Sequence, residues 1–346
     1  MKVLLTGATG FLGSEIAREL VRQGHAVRAL VRATSRRDAL AGLPIEAFVG
    51  DVRDAASVER AVEGVHAVIH AAGATSARPR DRRTVMAVNV VGTRTVLGAV
   101  ARRPGLRAVH TSTIATIGAT HQPRVLDEHA TFNMAGTGYA YADSKKAAEE
   151  VALAHARDGM NVVILNPGTL FGPGDVYITS TRYVLEYLRG RNRFAAAGGL
   201  SFGDVREVAR AHVAALTKGR AGERYIVAGQ NRSHADALDV LYRVTGLYRP
   251  LRLPHVVFWT AALLSEAAAR IHRHGLEELN RGVVTWARRY AFMDSGKAQR
   301  ELDYVVRPFD ETVRDTVRDF VQRGLVLPLT AALAGLVPGQ MTAGLQ

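Results

Sequence analysis

The 346-residue chain contains no cysteine. That excludes disulfides, thiolate metal sites and cysteine nucleophiles. Aromatic residues are sparse, at 6 %, and they do not interleave with a basic stripe, so nothing points to a nucleic-acid partner. There is no tandem repeat and no low-complexity linker. Long apolar runs are missing too. The segments 254–269 and 325–337 are each shorter than the roughly 20 residues needed to span a bilayer. Glu266 interrupts the first, and Pro328 and Pro338 break the second. Both read as core or substrate-pocket helices, with a peripheral membrane contact by the C-terminal tail as the other reading. Acidic residues are outnumbered, 32 against 45 Lys and Arg, for a net charge of +13. The basic residues are scattered (Arg36-Arg37, 78–83, Arg102-Arg103, 189–193, Arg288-Arg289). They read as a solvated surface, or as attraction to anionic ligands or an anionic membrane surface.

What is present is an α/β pattern. Strand-like runs at 2–5, 26–31, 45–49, 67–70 and 108–111 alternate with helical patterns at 10–23, 55–63 and 83–102. Such alternation implies a parallel sheet covered on both faces. A longer helix is expected over 138–158 and a further buried strand over 162–165. Pro167, Gly168, Gly172, Pro173 and Gly174 then mark an irregular crossing. Beyond it lie a helix at 204–218, a strand at 224–227 and a helix opening at Ser233 and stopping at Gly246, with a mostly helical remainder. The fold class is a doubly wound parallel sheet. Residues 1–165, rejoined by 203–230, form a dinucleotide-binding domain; 166–202 and 231–346 form a substrate-binding part. A first strand at residue 2 leaves no room for a signal peptide, so a cytoplasmic location is expected.

The chemistry begins at Thr6-Gly-Ala-Thr-Gly-Phe-Leu-Gly13. It links an apolar strand to a helix. A lone glycine triplet fits any tight turn. In this strand–turn–helix context, Gly7, Gly10 and Gly13 give the spacing that lets a pyrophosphate approach the backbone and a helix N-terminus. Further on, Tyr141 and Lys145 stand four apart, on one helical face. A nearby cation would lower the Tyr141 pKa and make it a general acid/base, although a surface Tyr/Lys pair would show the same spacing. Tyr139 has Asp143 at the matching position and is set aside. Ser112 and Thr113 end a strand whose carboxyl end faces the glycine turn. Either hydroxyl suits a carbonyl oxygen that gains charge; either could also merely cap the strand.

Together these segments resemble an extended short-chain dehydrogenase/reductase, over residues 1 to about 230. The resemblance implies cofactor contacts from Gly7, Thr9, Gly10, Phe11, Leu12 and Gly13. Gly50-Asp51-Val52 resembles the adenine-contacting segment and His70-Ala71-Ala72-Gly73 the loop beside the nicotinamide half. Asn89-Val-Val-Gly-Thr93 resembles the motif bearing a structural, proton-relay Asn. Thr111-Ser-Thr-Ile-Ala-Thr-Ile-Gly118 puts Thr113, in place of the commoner Ser, at the catalytic hydroxyl position. Tyr141 and Lys145 take the Tyr and Lys positions, with Lys145 also on the nicotinamide ribose. Asn166-Pro167-Gly168 opens the segment that enters the substrate part, with Pro167 and Gly168 near the cofactor. The style is that of dihydroflavonol reductases, 3β-hydroxysteroid dehydrogenases and hopanoid-associated epimerase-like proteins. Nucleotide-sugar members usually carry Arg before Pro167 and Arg-Asp before Phe202. Here stand Asn166 and Leu200-Ser201, so bidentate phosphate contacts are lost. The implied substrate is a hydrophobic carbonyl compound, and the implied assembly a homodimer.

The second strand bears on the cofactor. NAD enzymes keep an acid there for the ribose 2′-hydroxyl. Here Arg32 and then Arg36 and Arg37 follow it, with no acid before Asp38. Arginines suit a 2′-phosphate, so NADP(H) is favoured over NAD(H). If Arg36 and Arg37 are simply solvated, Arg32 alone decides the matter. Two other functions stay open: an epimerase or dehydratase acting on a sugar with tightly bound cofactor, and a non-catalytic cofactor-binding protein.

Overall fold

Continuous Val, Leu and Ile runs need burial on both faces, and amphipathic helices supply the cover. The computed structural model describes residues 1–76, 78–271, 280–327, 333, 335 and 336. In chain order it forms β1 (Lys2–Thr6), α1 (Phe11–Arg22), β2 (Ala26–Val31), β3 (Ile45–Val49), α2 (Ala55–Ala61), β4 (Ala67–His70), α3 (Arg82–Met86), α4 (Gly92–Ala101), β5 (Arg107–Thr111), β6 (Val125–Leu126), α5 (Ala140–Arg157) and β7 (Val162–Pro167). There follow β8 (Thr169–Phe171), α6 (Arg182–Leu188), β9 (Phe194–Ala195), β10 (Gly199–Asp204), α7 (Val205–Ala215), β11 (Arg224–Val227), β12 (Gln230–Ser233) and α8 (His234–Thr245). The chain continues with β13 (Leu251–Arg252), α9 (His255–Ile271), α10 (Arg281–Ala287), β14 (Tyr290–Met293), α11 (Gly296–Leu302) and α12 (Phe309–Gln322).

Seven parallel strands make the large sheet, in the order β11-β7-β5-β4-β1-β2-β3. Val3 and Leu5 of β1 point to one core with Phe11, Ile16, Leu20, Val205 and Val208 of α1 and α7. Leu4 points to the other, with Val58, Val96, Leu97 and Ile164. Strand order reverses at β1, which has β2 on one side and β4 on the other. In open α/β sheets ligands bind at such a switch point, beyond the carboxyl ends of the strands.

The second layer is a five-stranded sheet, β12-β10-β14-β6 with β8 on β10. A single residue, Gly168, separates β7 in the first sheet from β8 in the second. A Cβ there would lie 2.6 Å from the Ser201 carbonyl oxygen. β11 returns to the large sheet beside β7. Phe171, Tyr187, Phe202, Leu238, Phe309 and Phe320 fill the core of this layer.

The large-sheet strands lie where their apolar runs predicted, with ends moved by one or two residues. Ser233 caps α8 by accepting from the Asp236 N–H, and Gly246 ends it at φ +67°. One expectation needs correction. The helix at 83–102 is interrupted by one wide π turn, Ala87–Val91. The remainder after Gly246 is mostly helical among the described residues, with the short strands β13 and β14 set between its helices. The apolar segment 325–337 falls largely outside the described residues. Among the described residues, one helix, Arg82–Ala101, is long and apolar enough to cross a membrane by composition; 44 % of its apolar window is buried, where α4 packs on α2 and α5.

The tightest point of the fold is testable. A Cβ on Gly13 would lie 2.0 Å from the Gly7 carbonyl oxygen. Gly13→Ala should therefore destabilise the cofactor-free protein by about 1–3 kcal/mol, as overpacking does. Gly98→Ala, whose Cβ would meet only the Arg102 guanidinium at 3.8 Å, should be neutral or stabilising by up to about 1 kcal/mol. Urea denaturation of both variants checks the contrast; equal midpoints would refute it.

Candidate active site

The glycine turn is built by close approach. Gly7 takes φ +75°, and a Cβ on it would lie 2.6 Å from the Ala72 nitrogen. The loop after β4 is pinned there. Thr6 Oγ1 accepts from the Ala72 N–H at 3.2 Å and pairs with His70 Nδ1 at 2.7 Å. His70 Nε2 meets Thr93 Oγ1 at 3.1 Å. Burial pushes the His70 pKa down to about 3, so it is a neutral strut at ordinary pH. Gly10 differs. Its φ is −82°, and a Cβ would meet only the Gly7 oxygen, at 3.3 Å. Glycine there answers to a ligand's approach more than to internal packing. α1 starts at this residue with no side-chain cap and no acid in its first turn, which suits an anion.

A cleft of about 560 Å3 runs along the carboxyl ends of the strands. Gly7, Thr9, Gly10, Phe11, Leu12 and Gly13 line it, as do Arg32, Asp51, Val52, Ala71, Ala72, Gly73, Pro167 and Gly168. Thr113, Tyr141 and Lys145 face the same space. A bare phosphate cradle at one strand end and hydroxyl, phenol and amine at others fit a dinucleotide with a reacting centre beside it.

Two of the residues singled out in the sequence are not on the cleft wall. Arg36 donates from Nε and Nη2 to one oxygen of Asp38, at 2.9 and 2.6 Å, and both side chains are about two-thirds exposed (65 % and 63 %). The nearest carboxylate along the chain has taken it. Asn89 is buried in the wide turn of the helix. Its Nδ2 donates to Ala74 O at 3.0 Å and to Ser144 Oγ at 2.9 Å, and its Oδ1 accepts from the Ala74 N–H at 2.7 Å. It ties the β4 loop to α5. Asp51 does face the cleft, but Arg53 grips its carboxylate at 2.7 Å and holds its pKa low.

The two candidate hydroxyls separate. Ser112 Oγ donates to Glu149 Oε2 at 2.6 Å. Thr113 Oγ1 instead accepts from the Ala115 N–H at 3.3 Å and lines the cleft together with Tyr141. Lys145 departs from expectation. Its ammonium donates to the Thr111 carbonyl at 2.6 Å rather than pairing with Tyr141. Burial raises the Tyr141 pKa, partly offset by the neighbouring Thr113 hydroxyl. Burial also lowers the Lys145 pKa to about 8, against the pull of Glu149. The phenol is a proton donor in this state, and the amine is close to neutral pH. Tyr139 is half-buried, 5.9 Å from Tyr141 ring to ring, and is absent from the cleft wall.

Sequence reading missed Glu149. Its side chain is fully buried, and one oxygen accepts from Ser112, Thr116 and Asn166 at 2.6, 2.6 and 2.7 Å. Arg224 lies 3.3 Å from the other. The available signal was an acid four residues beyond Lys145 on the face of α5 that also buries Ser144, Ala148 and Ala152. It also missed Leu170 on the three-residue strand β8, and Ser35, Tyr177, Thr179 and Ser180, which line the cleft from loops with no distinctive pattern.

Fold and cleft together define a Rossmann-type nucleotide-binding α/β protein with an extended short-chain dehydrogenase/reductase layout. The chain belongs to the NAD dependent epimerase/dehydratase family, whose model matches residues 3–228. It is 35 % identical, over 94 % of its length and 100 % of the relative, to sterol demethylase protein B of Methylococcus capsulatus. It is 27 % identical to the 4-hydroxy-2-methyl-3-oxo-4-farnesyl-3,4-dihydroquinoline-1-oxide ketoreductase of Stigmatella aurantiaca, over 92 % and 96 % of the two chains. A solved nucleoside-diphosphate-sugar epimerase from Pseudomonas aeruginosa superposes with TM-score 0.76 at 26 % identity, covering 94 % and 99 %.

The buried amine makes stability depend on pH. The folded protein releases the Lys145 proton near pH 8, the unfolded chain near 10.5. Between these values the unfolded state binds the extra proton, so folding stability rises with pH. Relative to Lys145→Met, the cofactor-free wild type should gain stability across that interval in urea denaturation. A constant difference would show that Lys145 is not held in this way.

Proposed function

We propose that the protein is an NADP(H)-dependent oxidoreductase that reduces a ketone or aldehyde on a hydrophobic small molecule, or oxidises the alcohol, with Tyr141 as general acid/base. The observation that carries this is the convergence of Thr113, Tyr141 and Lys145 on the wall of the cleft that the glycine turn also lines. When bound, the nicotinamide cofactor supplies or accepts the hydride. Thr113 and Tyr141 hold the carbonyl oxygen. Tyr141 gives up its proton as negative charge develops there. The raised pKa of the phenol keeps the proton in place beforehand. Lys145, protonated below about pH 8, favours the phenolate left behind. Asn89 positions the β4 loop against α5 so that Gly73 and Lys145 face each other: a Cβ on Gly73 would lie 4.0 Å from the Lys145 nitrogen.

The wall supplied by β8 and the loop after it supports an uncharged substrate. Leu170, Tyr177, Thr179 and Ser180 bring no cation. Asn166, where nucleotide-sugar members carry Arg, turns inward to Glu149, and Ser201 is buried against Asn231. The relatives named for a sterol and for a farnesylated quinoline ketone point the same way. The second reading, an epimerase or dehydratase with retained cofactor, is favoured by the structural likeness to the sugar epimerase. A non-catalytic cofactor-binding role leaves Thr113, Tyr141 and Lys145 without a purpose. NADP(H) is supported by Arg32, which lines the cleft with no carboxylate partner among the described residues, and by Asp51 being neutralised by Arg53. A homodimer through the helices 82–101 and α5 belongs to the same reading; Val91 is 43 % exposed there.

Tyr141→Phe should lower turnover by about 10²–10⁴-fold while NADPH binding, followed by fluorescence titration, stays near wild type. Undiminished turnover would remove Tyr141 from the mechanism. A carbonyl panel scored for net NADPH consumption separates the reductase from the epimerase. Arg32→Glu should weaken NADPH binding by at least about tenfold, one lost charge-assisted contact, and leave NADH binding almost unchanged. Equal losses would count against a 2′-phosphate contact.

A further inference from the structure

The apolar segment 254–269 reads from sequence as a core or pocket helix, and half of it is neither. On α9, Val256 is 62 % exposed, Val257 42 %, Leu263 42 % and Leu264 71 %. Positions 256, 257, 260, 263 and 264 form one stripe of an α-helix. The polar member of that stripe is Thr260. Its hydroxyl donates back to the Val256 and Val257 carbonyls at 3.0 and 3.1 Å, so it satisfies its polarity within the helix. The β9/β13 ribbon stands just before this helix. There Leu251 pairs in register with Phe194, and both are exposed.

The surround is basic. Arg189, Arg191, Arg193, Arg249 and Arg252 are exposed. No Asp or Glu occurs at 187–203 or 246–265. Glu186 lies 3.6 Å from Arg191, and Asp204 and Glu266 follow the two acid-free stretches. Arg193 and Arg249 lie over the rings of Tyr248 and Tyr242, at 5.0 and 5.1 Å. An apolar stripe rimmed by arginines complements a surface that is greasy within and negative at its edge. A second copy of the chain fits worse, because a two-fold contact through this face sets arginine against arginine.

We propose that the exposed face of α9 and the β9/β13 ribbon dock on an anionic phospholipid surface. The position suits delivery of an apolar substrate. α9 packs on α10, and a Cβ on Gly282 of α10 would lie 2.6 Å from the Gly138 carbonyl oxygen. The Trp286 ring sits 5.7 Å from Tyr139, itself 5.9 Å from Tyr141. The docked face is thus one helix away from the segment that carries the cleft phenol. The docking stands on this surface alone; its bearing on substrate supply rests on the proposed reductase function.

Flotation of the full chain with vesicles tests it. Phosphatidylcholine vesicles containing phosphatidylglycerol should bind the protein, and pure phosphatidylcholine should bind it at least about tenfold more weakly. The double variants Val256→Asp/Leu264→Asp and Arg249→Glu/Arg252→Glu should each lose about tenfold or more in affinity, with unchanged melting and unchanged NADPH binding. Added salt should release the wild type. Three results would overturn the proposal: no binding to either vesicle, binding that both variants retain, or a wild-type dimer that Val256→Asp/Leu264→Asp converts to monomer. NADPH oxidation with a water-soluble carbonyl reports the reductase reading separately, since none of these residues touches the cleft.

Discussion

The site depends on one buried carboxylate. Glu149 is fully buried, and a bare charge there would be untenable. Its solution is to gather donors from several segments: Ser112 beyond β5, Thr116 in the following turn, Asn166 at the end of β7, and Arg224 on β11. Those contacts clamp α5 to the strand ends at which the cleft opens. Tyr141 and Lys145 ride on the same helix, so their position relative to Thr113 follows from where Glu149 is anchored. Removing such an anchored charge leaves its donors unsatisfied, a cost of about 3–5 kcal/mol for buried pairs. The same oxygen occupies the amide of Asn166, which keeps that residue out of the cleft. One electrostatic constraint therefore both builds the reacting centre and shapes the wall beside it.

Burial then sets the protonation states. Desolvation raises the Tyr141 phenol and lowers the Lys145 ammonium, so each is pushed toward its neutral form. Simple i,i+4 electrostatics predicts an amine that draws the phenol's pKa down. In the folded chain the Thr111 carbonyl claims the Lys145 proton donors. The pair is therefore better described as a protonated phenol with a nearby amine held by a backbone carbonyl. The buried histidines contribute no charge. His70 is held neutral between Thr6 and Thr93, and its work is to fix the glycine turn at the cleft.

Much of the large sheet was legible because its signals are local. β1 and the Gly7–Gly13 turn carry their reasons within a dozen residues. The 3.6-residue period marks α5, and the Ser233 cap and the Gly246 stop mark α8. The second sheet and the separate β9/β13 ribbon were illegible for the opposite reason. β6, β9 and β13 are two residues long, and their partners lie far away, as with Val125 and Phe292 or Phe194 and Leu251. Strands of that length have no period, and their burial exists only once the partner arrives.

The sequence by itself determined the class of fold, the phosphate turn and the residue types able to move a proton, because each is written in short-range spacing. Only the tertiary structure decided among candidates of equal chemistry. It tied Ser112 to Glu149 and left Thr113 on the cleft wall with the phenol, assigned Asn89 to bracing the β4 loop, and left Arg32 rather than Arg36 at the cleft. It also turned an apolar segment that reads as core into a partly exposed face. In each case the deciding factor was which long-range partner claimed a side chain first, and a carboxylate, carbonyl or ring that is remote in sequence leaves no local trace of that competition.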